Sequence, residues 1–201
     1  MAGAGEVLVG RRLNQGGMML RAIAALALAA GIPAGDLQAQ ATPEDAARAF
    51  GEAVRHSDWP AAARLMHPDA VHQLRLLFQP IVSAPGMESL RSELFGAQSD
   101  ADFARLADTV LFARFLENAI AKQEGMGEAL RSATVTPLGH VPQGADTMLV
   151  VTRTNLSVEG IAIRTFEVMP FVRYQGRWRG VLKAEFTNMA AMLQRAMAKR
   201  S

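Results

Sequence analysis

The chain has 201 residues, 50% of them hydrophobic, with 21 basic and 19 acidic side chains and a formal net charge of +2. That balance is too even for a general nucleic-acid binder, which concentrates positive charge. With no cysteine, disulfides, lipid attachment through a thiol and thiolate metal sites are all excluded.

The N-terminal residues carry the basic, apolar, small-residue order of a secretory signal peptide. Met18, Met19 and Arg21 precede the apolar run 22–30, and a segment broken by Gly31, Pro33 and Gly35 ends in Ala39-Gln40-Ala41. The run is shorter than the roughly 20 residues that span a bilayer. Cleavage is expected between Ala41 and Thr42, leaving residues 42–201 as one domain, periplasmic or secreted. The residues before Met18 make an odd leader, so translation is read as starting at Met18 or Met19. The rival is a twin-arginine signal at Arg11-Arg12, which Leu13-Asn14-Gln15 matches weakly. After residue 41 the charge stays near neutral and no stretch is apolar for long enough to span a membrane.

The first part of residues 42–201 is helical. Thr42-Pro43-Glu44-Asp45 supplies a capping hydroxyl, a proline at the first helical position and acids in the first turn. Ala46, Ala47, Phe50, Ala53 and Val54 then share one face. Asp58 caps a second helix opening at Trp59-Pro60 and closing near Met66. Pro68 opens a third, with Val71, Leu74, Leu77 and Phe78 at helical period, which Pro80, Pro85 and Gly86 interrupt. A shorter helix carries Leu90, Leu94 and Phe95 to Gly96. Ser99-Asp100 caps the strongest helix, in which Phe112, Phe115, Leu116, Ala119 and Ile120 follow i, i+3, i+4, i+7, i+8. Gly125 and Gly127 close the helical half.

From Ala133 the period becomes two. Strands are expected at about 133–141, 147–156, 161–173 and 177–186, joined as an antiparallel meander at Pro142-Gln143-Gly144, Glu159-Gly160 and Gln175-Gly176. In the last strand Trp178, Gly180, Leu182, Ala184 and Phe186 read as the core side, with Arg177, Arg179, Val181, Lys183 and Glu185 on the wet side. Pro170 inside the third strand predicts a bulge or an edge position. Met189, Met192, Leu193 and Met197 predict a C-terminal helix.

Helices followed by a curved antiparallel sheet of at least four strands give an α+β fold, in which the helices must cover one sheet face. The opening segment, with Phe50, Ala53, Asp58, Trp59, Ala62, Leu65 and His67-Pro68-Asp69, resembles the first helices of the nuclear transport factor 2-like superfamily, which includes ketosteroid isomerase and scytalone dehydratase. Gly176-Arg177-Trp178-Arg179 is similar to the Gly-x-Trp turn and strand near the end of those domains. The resemblance implies a cone-shaped sheet around helices with a pocket in its mouth. Residues 79–131 depart from that pattern as a longer helical insert, and no catalytic residue is carried over.

Candidate site residues are few. His67-Pro68-Asp69 is the most catalytic-looking cluster, because a histidine oriented by a carboxylate can act as a general base. The plainer reading makes His67 the cap of the helix that Pro68 starts. Glu167 stands on the strand face of Ile163, Met169 and Phe171, and a carboxylate enclosed there would be suited to moving a proton. Arg153 is expected to pair with Glu167 or to meet an anionic ligand. Arg164, Tyr174 and Trp178 are further ligand-binding candidates. No histidine spacing fits a metal site, and no cofactor fingerprint is present.

Two functions follow from different classes. The first is an exported, non-catalytic domain that binds a small apolar or amphipathic molecule or a protein partner, a second copy of the chain included. The second is a small cofactor-free acid-base enzyme, an isomerase or dehydratase, using Glu167 or His67 with Asp69.

Overall fold

A computed structural model describes residues 41–121, 125–158 and 160–183, with Asn188, Met192 and Arg195. The leader, and Met189, Leu193 and Met197 of the expected C-terminal helix, lie outside the described residues. The described architecture is α+β, with helices first and then a four-stranded antiparallel sheet in the order β1-β2-β3-β4.

Side-chain caps set the first helices. Helix α1 (Pro43–Arg55) opens where the Asp45 N–H donates to Thr42 Oγ1 at 3.1 Å, and its Ala46, Ala47, Phe50, Ala53 and Val54 are buried. Helix α2 (Trp59–Arg64) opens where the Ala61 N–H donates to Asp58 Oδ1 at 2.9 Å. Helix α3 (Pro68–Val82) runs through Pro80 rather than stopping at it. Pro80 and Leu76 are both exposed, so the carbonyl that loses its donor can bond water. Helix α4 (Glu88–Phe95) ends as expected at Gly96, whose φ is 63°.

The long helix expected after Ser99 is split into α5 (Asp100–Arg105) and α6 (Asp108–Leu116), the latter continuing as a π-helical turn (Glu117–Ala121). Leu106 and Ala107 between them are extended. Arg75 of α3 accounts for the break, because its guanidinium donates to the Phe103 carbonyl at 3.0 Å, to the Leu106 carbonyl and to Asp108. These bonds satisfy groups that a continuous helix would have used. Gly125 precedes a further helix, α7 (Met126–Ser132), which contains Gly127. Buried Arg91 ties the corner together by donating to the Val82 and Gln98 carbonyls at 2.9 and 3.2 Å and to Asp100 at 2.5 Å.

Asp108 gives this corner a pH dependence. Burial pushes its carboxyl upward, but the hydrogen bonds and charges of Arg75 and His72 outweigh burial and hold it below the usual value of 3.8. The folded pKa is the lower one, so the stabilisation is present above about pH 4 and is lost as pH falls through the folded value. Asp108→Asn should therefore cost about 1 kcal/mol at pH 7, discounted for partial exposure. Urea denaturation at pH 7 and pH 3 should show the difference from wild type shrinking at the lower pH.

The sheet comprises β1 (Thr134–Pro142), β2 (Thr147–Val158), β3 (Ile161–Tyr174) and β4 (Arg177–Gly180). Helix α1 lies against all four strands and α7 against β2, so one sheet face is covered. Phe171, Val150 and Met169 are buried on that face, with half-buried Met148 opposite Phe171, while Val151↔Val168 and Arg153↔Phe166 fall on the other. The register of β3 on β2 runs through Pro170 without a bulge. The irregularity lies in β1 between Pro137 and Gly139, so that Val135 before it and His140 after it both stand on the helix side. There His140 Nδ1 lies 2.6 Å from Glu44 Oε1 of α1.

Strand β4 stops at Gly180, short of the expected 186. The Val181 N–H still donates to the Pro170 carbonyl at 3.1 Å, but proline has no N–H to return the bond, so the rung is half made. On its outer side Gly180 donates to the Leu65 carbonyl and accepts from the His67 N–H, at 3.0 and 2.7 Å. A Cβ at Gly180 would lie 2.9 Å from Met66 Sδ, which is why the close approach uses glycine. Residues 184–186 of the expected strand lie outside the described residues.

Candidate functional site

The helix α3 N-terminus and the β3–β4 hairpin bring three candidates together. His67 caps α3 by accepting the Asp69 N–H on Nδ1 at 3.1 Å, and its ring meets Tyr174 edge-on with centroids 4.7 Å apart. The Asp69 carboxylate lies 3.8 Å from the same Nδ1 and is 84% exposed. With Nδ1 already accepting, the Asp69 carboxylate cannot receive a proton there and does not orient the ring as a base. The arrangement is a cap with an aromatic lid. Across the hairpin Arg177 pairs with Tyr174, and Arg179 donates to the Arg64 carbonyl. Burial and then the like charge of Arg177 push the Arg179 guanidinium below its usual pKa, against a smaller opposing effect of Tyr174.

Glu167 shares the strand face of Met169 and Phe171, as the strand period predicts, and that face turns toward the helices; its partner is Lys183 at 2.5 Å, with both side chains largely buried. The expected pair with Arg153 does not form. Thr152 stands opposite Glu167, while Arg153 is opposite Phe166 on the other face. The placement of Lys183 on the wet side is likewise corrected: β4 ends at Gly180, so strict alternation no longer governs residue 183. One step along the sheet, Thr154 and Thr165 are cross-strand neighbours whose hydroxyls are buried without hydrogen-bond partners.

Beside Lys183 the interior leaves a cavity of about 10 Å³, lined by Phe50, Met66, Met169, Pro170, Gly180 and Val181. That is room for about one water. Trp178 is 7% exposed, opposite Arg173, and packs within the core.

The sheet's other face is open. Phe166 is 63% exposed and Val168 47%, and Val141 of β1 is exposed as well. Arg153 stands beside Phe166, with its Nε buried and unbonded, and Arg164 donates from Nε to Asn155 Oδ1 at 3.1 Å on the next rung. Strand alternation places Arg164, Phe166 and Val168 together on the face opposite Glu167. What sequence reading missed is which face the described helices cover, since periodicity gives two faces and not which is covered: Phe166 and Val168 stay exposed, while residues 64–67 reach Arg179 and Tyr174 at the β4 end. It also missed Arg75, Arg91 and Lys183, whose partners lie on elements distant in the chain.

Among the described residues no group of three or more His, Asp and Glu side chains is placed to hold a metal, and no helix is long and apolar enough to cross a membrane. Comparison with known protein families, with curated proteins and with solved structures finds no match to this chain.

Proposed function

We propose that the protein is an exported, non-catalytic binding module of the nuclear transport factor 2-like kind, and that it takes an amphipathic partner on the open face of its sheet. The observation that carries this reading is the exposure of Phe166 and Val168 at the centre of a sheet face that the described helices leave uncovered there. Large apolar side chains grouped on a surface mark interaction sites more often than isolated ones do. Kinship with the superfamily is supported by helices followed by a meander, and by the Gly176-Arg177-Trp178 hairpin. Export is supported by the order of Arg21, the apolar run 22–30 and Ala39-Gln40-Ala41.

The acid-base alternative has less behind it, because Glu167 is engaged by Lys183 and His67 Nδ1 by the Asp69 backbone. Phe166→Asp separates surface from core. It should change unfolding free energy by no more than about 0.5 kcal/mol, as surface substitutions do. It should also abolish the fluorescence gain of anilinonaphthalene sulfonate, a small anionic amphiphile, on the folded protein. Unchanged fluorescence in this variant would move the binding site off the open face.

A further inference from the structure

The charges around the apolar centre specify the partner's chemistry. Of all residues in the four strands, Glu167 is the single acid, and it faces the helices in contact with Lys183. The open face carries cations only. Arg153 and Arg164 flank Phe166 toward one end, while Arg179, opposite Val172, and Arg177, opposite Tyr174, stand at the other. Between Arg164 and Val172 the strand advances by about 27 Å at roughly 3.3–3.4 Å per residue. None of these four arginines has a carboxylate within ion-pairing distance among the described residues.

We infer that this face docks on the surface of an anionic phospholipid bilayer, with Phe166 and Val168 entering the interface and the arginines at both ends meeting lipid phosphates. The inference rests on the open-face reading above. Three features favour this occupant over others. Apolar centre and cationic flanks together match a bilayer interface, which offers acyl surface and many anions at any spacing. A second copy stacked on the same face would set arginine against arginine. The cavity beside Lys183, about 10 Å³, takes in neither a headgroup nor a chain.

Co-sedimentation of the full chain with phosphatidylglycerol/phosphatidylcholine vesicles tests the inference, using wild type, Phe166→Ser and the double variant Arg153→Gln/Arg164→Gln. All three share one N-terminus, so any affinity of the leader cancels in the comparison. Thermal unfolding verifies that each variant is folded. Wild type should bind the anionic vesicles, release at high salt and bind phosphatidylcholine alone weakly. Each lost arginine should lower partitioning about fivefold, so the double variant falls about 25-fold. Equal binding to neutral vesicles, or variants that bind like wild type, would overturn the inference. Dodecyl phosphate below its micellar concentration separates the two levels of argument. If it binds wild type but not Phe166→Ser while vesicles do not bind, the bilayer is wrong and the open face stands. Self-association that Phe166→Ser abolishes, or retention on polyglutamate without vesicle binding, reassigns the face to a second copy or an acidic protein. If none of these probes binds, both readings fall.

Discussion

Phe95→Ala is expected to lower the unfolding free energy by about 3–5 kcal/mol, the range for removing a fully buried aromatic side chain. Phe95 is 0% exposed, and its ring lies 5.5 Å from Phe78, 5.1 Å from Phe103 and 6.1 Å from Phe115, centroid to centroid. Those rings belong to α3, α4, α5 and α6, so the one side chain joins four helices. The collapse of this cluster is limited because its neighbours are held by the Arg75 and Arg91 bonds to the Leu106 and Gln98 carbonyls of the connecting loops. Against a typical domain stability of about 5–15 kcal/mol, the loss should be plain in urea denaturation. A change below about 1 kcal/mol would mean that residues 79–131 do not share the cooperative core.

Trp178→Ala is expected to cost a similar amount, about 3–5 kcal/mol. Trp178 lies on the helix-facing side of β4, the strand whose outer edge is closed by Leu65 and His67. Its loss would loosen the contact between sheet and α1 as well as the anchorage of α3 through residues 65–67. Trp178→Phe, which keeps much of the apolar volume, should cost less than half as much by the same denaturation measurement. A near-zero cost for the alanine variant would mean that β4 faces the opposite way. These two substitutions probe separate halves of one structure, and cooperative unfolding in both variants is the outcome a single domain requires.

Helix starts were the most legible features, since Thr42, Asp58, His67 and Ser99 each cap through their own side chain, a local effect written in adjacent residues. The meander was legible for a related reason: short turn segments separate stretches of period two. The features that escaped depend on distant partners. Nothing near Leu106 announces that Arg75 will break the helix there, and Gly125 and Gly127 read as a stop although a helix follows. Pro170 did mark a ladder ending, but that of its neighbour β4 rather than its own. Of the site candidates, His67 and Tyr174 meet, and Glu167 shares the face of Met169 and Phe171 as strand alternation predicted, though alternation left open whether that face was inward. The Arg153–Glu167 pair failed because the two residues occupy adjacent rungs on opposite faces, a register that only strand pairing defines.

The most direct test maps where an amphiphile binds, by following methyl and amide NMR shifts of the protein as dodecyl phosphate is added below its micellar concentration. Binding on the open face predicts perturbations centred on Val151, Arg153, Phe166 and Val168, with Phe50, Met66 and Met169 unmoved. Shifts centred instead on Phe50, Met66, Met169 and Lys183, around the small interior cavity, would contradict the account.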